Sequence, residues 1–140
     1  MPVAKIHVSL PNDLLSQIDE RGQARSTIIS RDLNRLYTLY RRALRQVNLT
    51  VDEACLIVDA LNGSITTADD AGLLWARILD AIRYDKLDEK WKIDGKELVE
   101  KLQQLNELQA MAIVDAAERF WQLDSNDVRE DVKRCFGIGI

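Results

Sequence analysis

Lys5-Ile6-His7-Val8-Ser9-Leu10-Pro11 is the stretch on which the reading of the fold turns. Polar and apolar side chains alternate along it. On extended backbone Ile6, Val8 and Leu10 fall on one face, and Lys5, His7 and Ser9 on the other. Pro11 ends the run, and no neighbouring segment offers a hairpin partner. A lone strand leaves its backbone donors and acceptors unpaired. The simplest partner is the same strand from a second copy of the chain. The expected product is a two-stranded ribbon across a dimer, with one apolar face and one polar, weakly basic face.

Two helical patterns follow. From Asn12 to Arg21, Leu14, Leu15 and Ile18 have helical spacing, and Gly22 stands where a helix stops. A second helix is predicted from Arg25 or Ser26 to about Val47. Ile29, Leu33, Leu36, Tyr37, Tyr40 and Leu44 recur along it every three or four residues. One strand and two helices in under fifty residues bury little area alone. Two copies bury more, so dimerisation is expected to be part of folding.

The charge is unevenly spread. Residues 1–47 hold eight basic and four acidic side chains, a net +4, and residues 48–140 hold the rest, a net −8. That asymmetry points to a polyanion-binding head joined to an acidic body with another task. A two-stranded ribbon flanked by basic residues fits the DNA major groove. Lys5 and His7 can donate to base acceptors, and Ser9 is permissive. The start of the second helix, around Arg25, Ser26 and Thr27, presents free N–H groups and a positive dipole end. The arginines Arg41, Arg42 and Arg45 lie far along that helix and read as a solvated face.

The run IHVSLPNDLLSQIDERGQARSTIISRDL, residues 6–33, resembles the ribbon-helix-helix family of DNA-binding proteins. The shared order is an alternating strand ending in Leu-Pro, a short helix, a Gly turn, and a second helix with Ser near its start. The resemblance covers the N-terminal third only. It implies base contacts by Lys5, His7 and Ser9, and phosphate contacts by the Arg25, Ser26 and Thr27 region. Family members often carry Ser where Ala24 stands, Glu where Thr27 stands, and Ala where Asp32 stands.

The remainder reads as helical. Thr50-Val51-Asp52-Glu53 has capping-box spacing and opens a helix through Leu61, closed by Asn62-Gly63. A helix is predicted from about Ala68 to Arg83. Residues 84–93 read as irregular, with Leu87 and Trp91 as anchors. Asp94 opens the next helix, with Leu98, Leu102 and Leu105 on one stripe. Asn106 recaps a helix running through Trp121. Ser125 is the expected cap of a last short helix that stops at Gly137. Trp75, Trp91 and Trp121 could line a ligand pocket or partner surface, and the core is the expected place for them. Two segments, residues 53–60 and 109–116, echo one another, which two amphipathic helices of similar composition explain without duplication.

Apolar residues make up 46% of the chain and charged residues 30%, the balance of a folded protein. No apolar run is long enough for a membrane helix, and no secretory signal is evident, so the expected location is the cytoplasm. Cys55 and Cys135 are expected as buried reduced thiols. His7 is the sole histidine, so no multi-histidine metal site is expected. No cofactor is called for, and no nucleophile, Gly-rich phosphate loop or metal-spaced cysteine pair suggests an enzyme.

The expected fold class is therefore mainly α. An N-terminal ribbon-helix-helix domain, residues 1–47, contributes one strand paired across a dimer and two helices. An all-helical domain, residues 48–140, follows. The expected function is a dimeric, sequence-specific DNA-binding regulator of transcription, acting as a repressor, whose partners are double-stranded DNA and a second copy. The helical domain would oligomerise, sense an effector or bind a protein partner. Two other readings stay open: an antitoxin-like protein whose helical domain binds a toxin, and an interaction or scaffold protein without DNA binding.

Overall fold

In a computed structural model of the chain, residues 7–61, 71–124 and 126–139 are described, save the side chains of 71–73. The elements are α1 (Asn12–Asp19), α2 (Arg25–Val47), α3 (Val51–Leu61), α4 (Ala71–Arg83), α5 (Leu87–Lys90), α6 (Gly95–Gln103), α7 (Glu107–Gln122) and α8 (Val128–Phe136). Two compact units emerge, Met1–Tyr37 and Thr38–Ile140. The first half of α2 belongs to one and the second half to the other.

Among the described residues there is no strand. The expected N-terminal ribbon-helix-helix architecture is corrected on this point: the fold is mainly α, as expected, but helices are the only regular elements among the described residues, and 7–10 form no ribbon strand. Residues 7–10 are irregular, and no backbone hydrogen bond joins any of them to another described residue. The reason is physical. Alternation gives a segment two faces, but a strand exists only when a neighbour completes its ladder. Lys5 and Ile6 lie outside the described residues.

In the first unit α1 and α2 form where the periodicity predicts them. Gly22, at φ +70°, makes the turn between them in the left-handed region that glycine enters without steric cost. Among its described residues Ile18 and Ile28 are the buried side chains. Charged pairs hold the two helices together. Arg25 grips Asp19 through Nε–Oδ1 at 2.9 Å and Nη2–Oδ2 at 2.8 Å. Arg21 Nη1 donates to Asp32 Oδ2 at 2.6 Å, and Arg31 Nη2 donates to Gln23 Oε1 at 2.7 Å.

The second unit is built around α3. Residues 53–58 and Leu61 are all buried, so the helix is covered nearly all round, by α4, α5, α7 and α8. Its start is the predicted capping box: the Glu53 amide donates to Thr50 Oγ1 at 3.1 Å, and the Thr50 amide donates to Glu53 Oε1 at 2.9 Å. The alanines Ala110, Ala112, Ala116 and Ala117 of α7 are all buried in the packing. Leu56, Ile57, Leu74, Ile78, Leu98, Ile113 and Val132 fill the centre.

Other starts and stops are local. Asp94 Oδ1 accepts from the Lys96 amide at 3.0 Å, and Asn106 with Gln109 makes a full capping box. The cap of α8 is Asp127, whose Oδ1 accepts from the Glu130 amide at 3.2 Å. Ser125, the expected cap, lies outside the described residues, as do Asn62, Gly63 and Ala68. Gly137 ends α8 at φ +65°, and the Ile138 amide donates to the Lys133 carbonyl at 2.9 Å. The segment read as irregular contains the single turn of α5 between Lys86 and Lys92, both at positive φ. No described helix is long and apolar enough to cross a membrane.

Candidate functional sites

The first candidate site is the N-terminal unit. His7 and Ser9 are exposed on irregular backbone. Lys5, their expected companion, lies outside the described residues. Arg25, Ser26 and Thr27 form the exposed first turn of α2. Ala24 offers no side-chain acceptor, and its carbonyl takes the Ile28 amide at 3.1 Å. The amides of Arg25, Ser26 and Thr27 therefore have no acceptor within the helix. No acidic residue sits in that turn to neutralise the dipole.

Arg25 is not free. Its bidentate grip on Asp19 holds the Asp19 carboxyl below its ordinary range and raises the guanidinium in return, the hydrogen bond being the larger cause in each case. Asp32 is likewise shared, with Arg21 at 2.6 Å and Arg35 at 4.0 Å. Arg41, Arg42 and Arg45 are exposed, and among the described residues none pairs with a carboxylate.

The apolar stripe of α2 is the second notable feature of this unit. Leu33 is 43% exposed and Tyr37 45% exposed. They sit one turn apart on one helix face. Val8 and Leu14 are exposed as well.

A different site lies in the C-terminal unit, where the sequence set a tryptophan-lined pocket behind a core role. A cleft of about 410 Å³ is lined by Val58 and Asp59 of α3, Lys90 and Trp91 at the end of α5, and Phe120 and Trp121 of α7. Leu123 and Val128 extend its apolar wall, and Cys55 contributes a thiol. Trp121 is 44% exposed and Trp91 half-buried, so neither is the core residue expected. Each indole is fixed through its N–H: Trp121 Nε1 donates to the Val58 carbonyl at 3.1 Å, and Trp91 Nε1 donates to Asp59 Oδ2 at 3.0 Å. Lys90 Nζ also donates to Asp59 Oδ2, at 2.7 Å, and lies 5.5 Å from the Trp91 ring centroid. Phe120 meets Trp121 edge-on, with centroids 5.4 Å apart.

A sequence signal for this cleft did exist. Phe120 and Trp121 are adjacent on a helix, about 100° apart. Both cannot point along one narrow buried stripe. Asp59 and Lys90 carried no such signal, because only folding brings them together.

Burial pushes the Cys55 thiol above its ordinary value, and Cys135 is raised for the same reason. Both are therefore unreactive thiols in the native state. Among the described residues no group of three or more His, Cys, Asp or Glu side chains is placed to hold a metal ion. No family model, curated protein or solved structure matches the chain.

Proposed function

We propose that this protein is a homodimeric DNA-binding regulator of transcription, acting as a repressor, whose N-terminal unit meets the duplex. The observation that carries the reading is the uncovered face of α2. A unit whose described buried side chains are Ile18 and Ile28, and which leaves Leu33 and Tyr37 in solvent, gains most of its missing core from a second copy. Residues 1–47 carry a net +4, to which Arg41, Arg42 and Arg45 of the second unit contribute three, and that excess supports a polyanion as the other partner. The open first turn of α2 supports phosphate contact by Arg25, Ser26 and Thr27. The helix, Gly turn and Ser-containing helix start shared with ribbon-helix-helix proteins support the same reading.

Lys5, His7 and Ser9 are the proposed base readers, and the reading asks only that their polar side chains reach the groove. Residues 48–140, at a net −8, repel the duplex. An enzymatic role has no support from the side-chain arrangements above.

The test is fluorescence anisotropy of labelled duplexes across a salt series, with the mass of the free protein measured by light scattering. A dimer that binds random duplex at low salt, and a selected duplex more tightly, supports the proposal. A dimer without DNA affinity at the lowest salt replaces it with an interaction or scaffold role.

A further inference from the structure

We propose that the cleft between Trp91 and Trp121 is a binding site for a small organic cation with an apolar body, such as a quaternary ammonium or a hydrophobic amine. The inference is independent of DNA binding.

The size is suitable. A volume of about 410 Å³ falls within the range of small-molecule sites, roughly 300–1,000 Å³. The walls are mostly hydrocarbon and aromatic ring. The two indoles are oriented by hydrogen bonds to Asp59 and to the Val58 carbonyl, so they need not reorganise on binding.

Charge selects the ligand. The ionisable groups lining the cleft, apart from the Cys55 thiol, are Asp59 and Lys90. Both described hydrogen bonds to the Asp59 carboxylate fall on Oδ2; Oδ1 accepts none among the described residues. A carboxylate beside aromatic ring faces attracts a cation by charge and by the ring quadrupole, with or without an N–H donor. Residues 48–140 carry a net −8, which favours the same sign.

The chain itself occupies the position. The Lys90 ammonium pairs with Asp59 and sits within cation–π distance of Trp91. Lys90 is more than half exposed, and an ion pair at such a position is weak. A ligand whose cation carries an apolar body replaces the Lys90 ammonium and also covers Phe120, Trp121, Leu123 and Val128. Lys90 then returns to water. The side chain acts as a tethered competitor, so removing it tightens binding.

The experiment titrates the full-length protein with benzyltrimethylammonium, following tryptophan fluorescence. Benzyl alcohol serves as the water-soluble neutral probe and phenylacetate as the anion. Saturable binding of the cation below roughly 10 mM is expected, with the neutral probe about tenfold weaker and the anion weaker still. Lys90→Met is expected to tighten cation binding about three- to tenfold, and Asp59→Asn to weaken it about tenfold. Absence of saturation with both the native chain and Lys90→Met overturns the proposal. So does equal binding of the neutral or anionic probe, or weaker cation binding by Lys90→Met. Should Asp59→Asn fail to fold by circular dichroism, the Lys90→Met titration decides alone.

Discussion

Lys101 on α6 places its ammonium 2.7 Å from Glu53 Oε1 on α3, across 48 positions of sequence. Glu53 is 4% exposed and is also the reciprocal member of the α3 capping box. Lys101 Nζ donates in addition to the Asn48 carbonyl at 3.0 Å. One carboxylate thus closes a helix start and fastens a second helix to it. Lys101→Met leaves Glu53 charged, buried and short of a partner, and is expected to cost about 2–3 kcal/mol. Glu53→Gln keeps a capping-box acceptor and leaves the unpaired charge on the more accessible Lys101, so it should cost less. Urea denaturation of both variants checks the order.

Leu33 and Tyr37 test the proposed dimer directly. Both are exposed in the single chain, so placing charge there leaves the monomer's core unaltered. Leu33→Glu with Tyr37→Glu is expected to give a monomer by light scattering, with most helical ellipticity retained. A dimer that survives both changes places the self-contact elsewhere.

In the proposed complex Asp19 would compete with DNA phosphate for Arg25. Asp19→Asn is therefore expected to raise affinity for random duplex about three- to tenfold at low salt. Arg25→Ala should lower the slope of log K against log salt by about one. The folded Asp19 carboxyl titrates below its ordinary value. Its contribution to stability is present above the unfolded value and is lost as pH falls through the folded one. Because the pair is exposed, the DNA titrations and not the stability curve are the informative readout.

The two thiols set an alkaline limit. Their folded values lie above the ordinary 9.0 because burial disfavours the thiolate. A raised value contributes stability below the unfolded value that is lost as pH rises through the folded one. Unfolding free energy should decline above about pH 9, and more gently in Cys55→Ala than in the native chain, compared from each protein's own neutral plateau. Near neutral pH, thiol titration with a disulfide reagent should be slow in the folded protein and fast in urea.

Lys86 enters α5 at φ 54°. A left-handed L-residue is strained by about 1–2 kcal/mol, part of which glycine gives back as chain entropy. Lys86→Gly is expected to stabilise by about 0.5–1 kcal/mol, read as a higher urea midpoint at unchanged slope.

The helix starts were the most legible part of the chain. Thr50 with Glu53, Asp94 and Asn106 are caps whose partners lie within three residues, so sequence spacing alone identifies them. The stripe of α2 was legible as well, although Ile28, not Ile29, is its fully buried isoleucine. The strand was misread because alternation records only which side chains share a face. The pairing that makes a strand belongs to another segment. The indole cleft was not placed because its Asp59 and Lys90 stand 31 positions apart.

The sequence by itself determined where this chain is helical, where its basic and acidic halves divide, and which side chains must avoid water. Those properties depend on neighbours within a turn or two, and on composition. Only the tertiary structure decided that α3 is the helix covered on nearly all sides, that Glu53 meets Lys101, and that Trp91 and Trp121 open onto a shared cleft. These depend on distances between residues far apart in the chain, which packing sets and local periodicity does not encode.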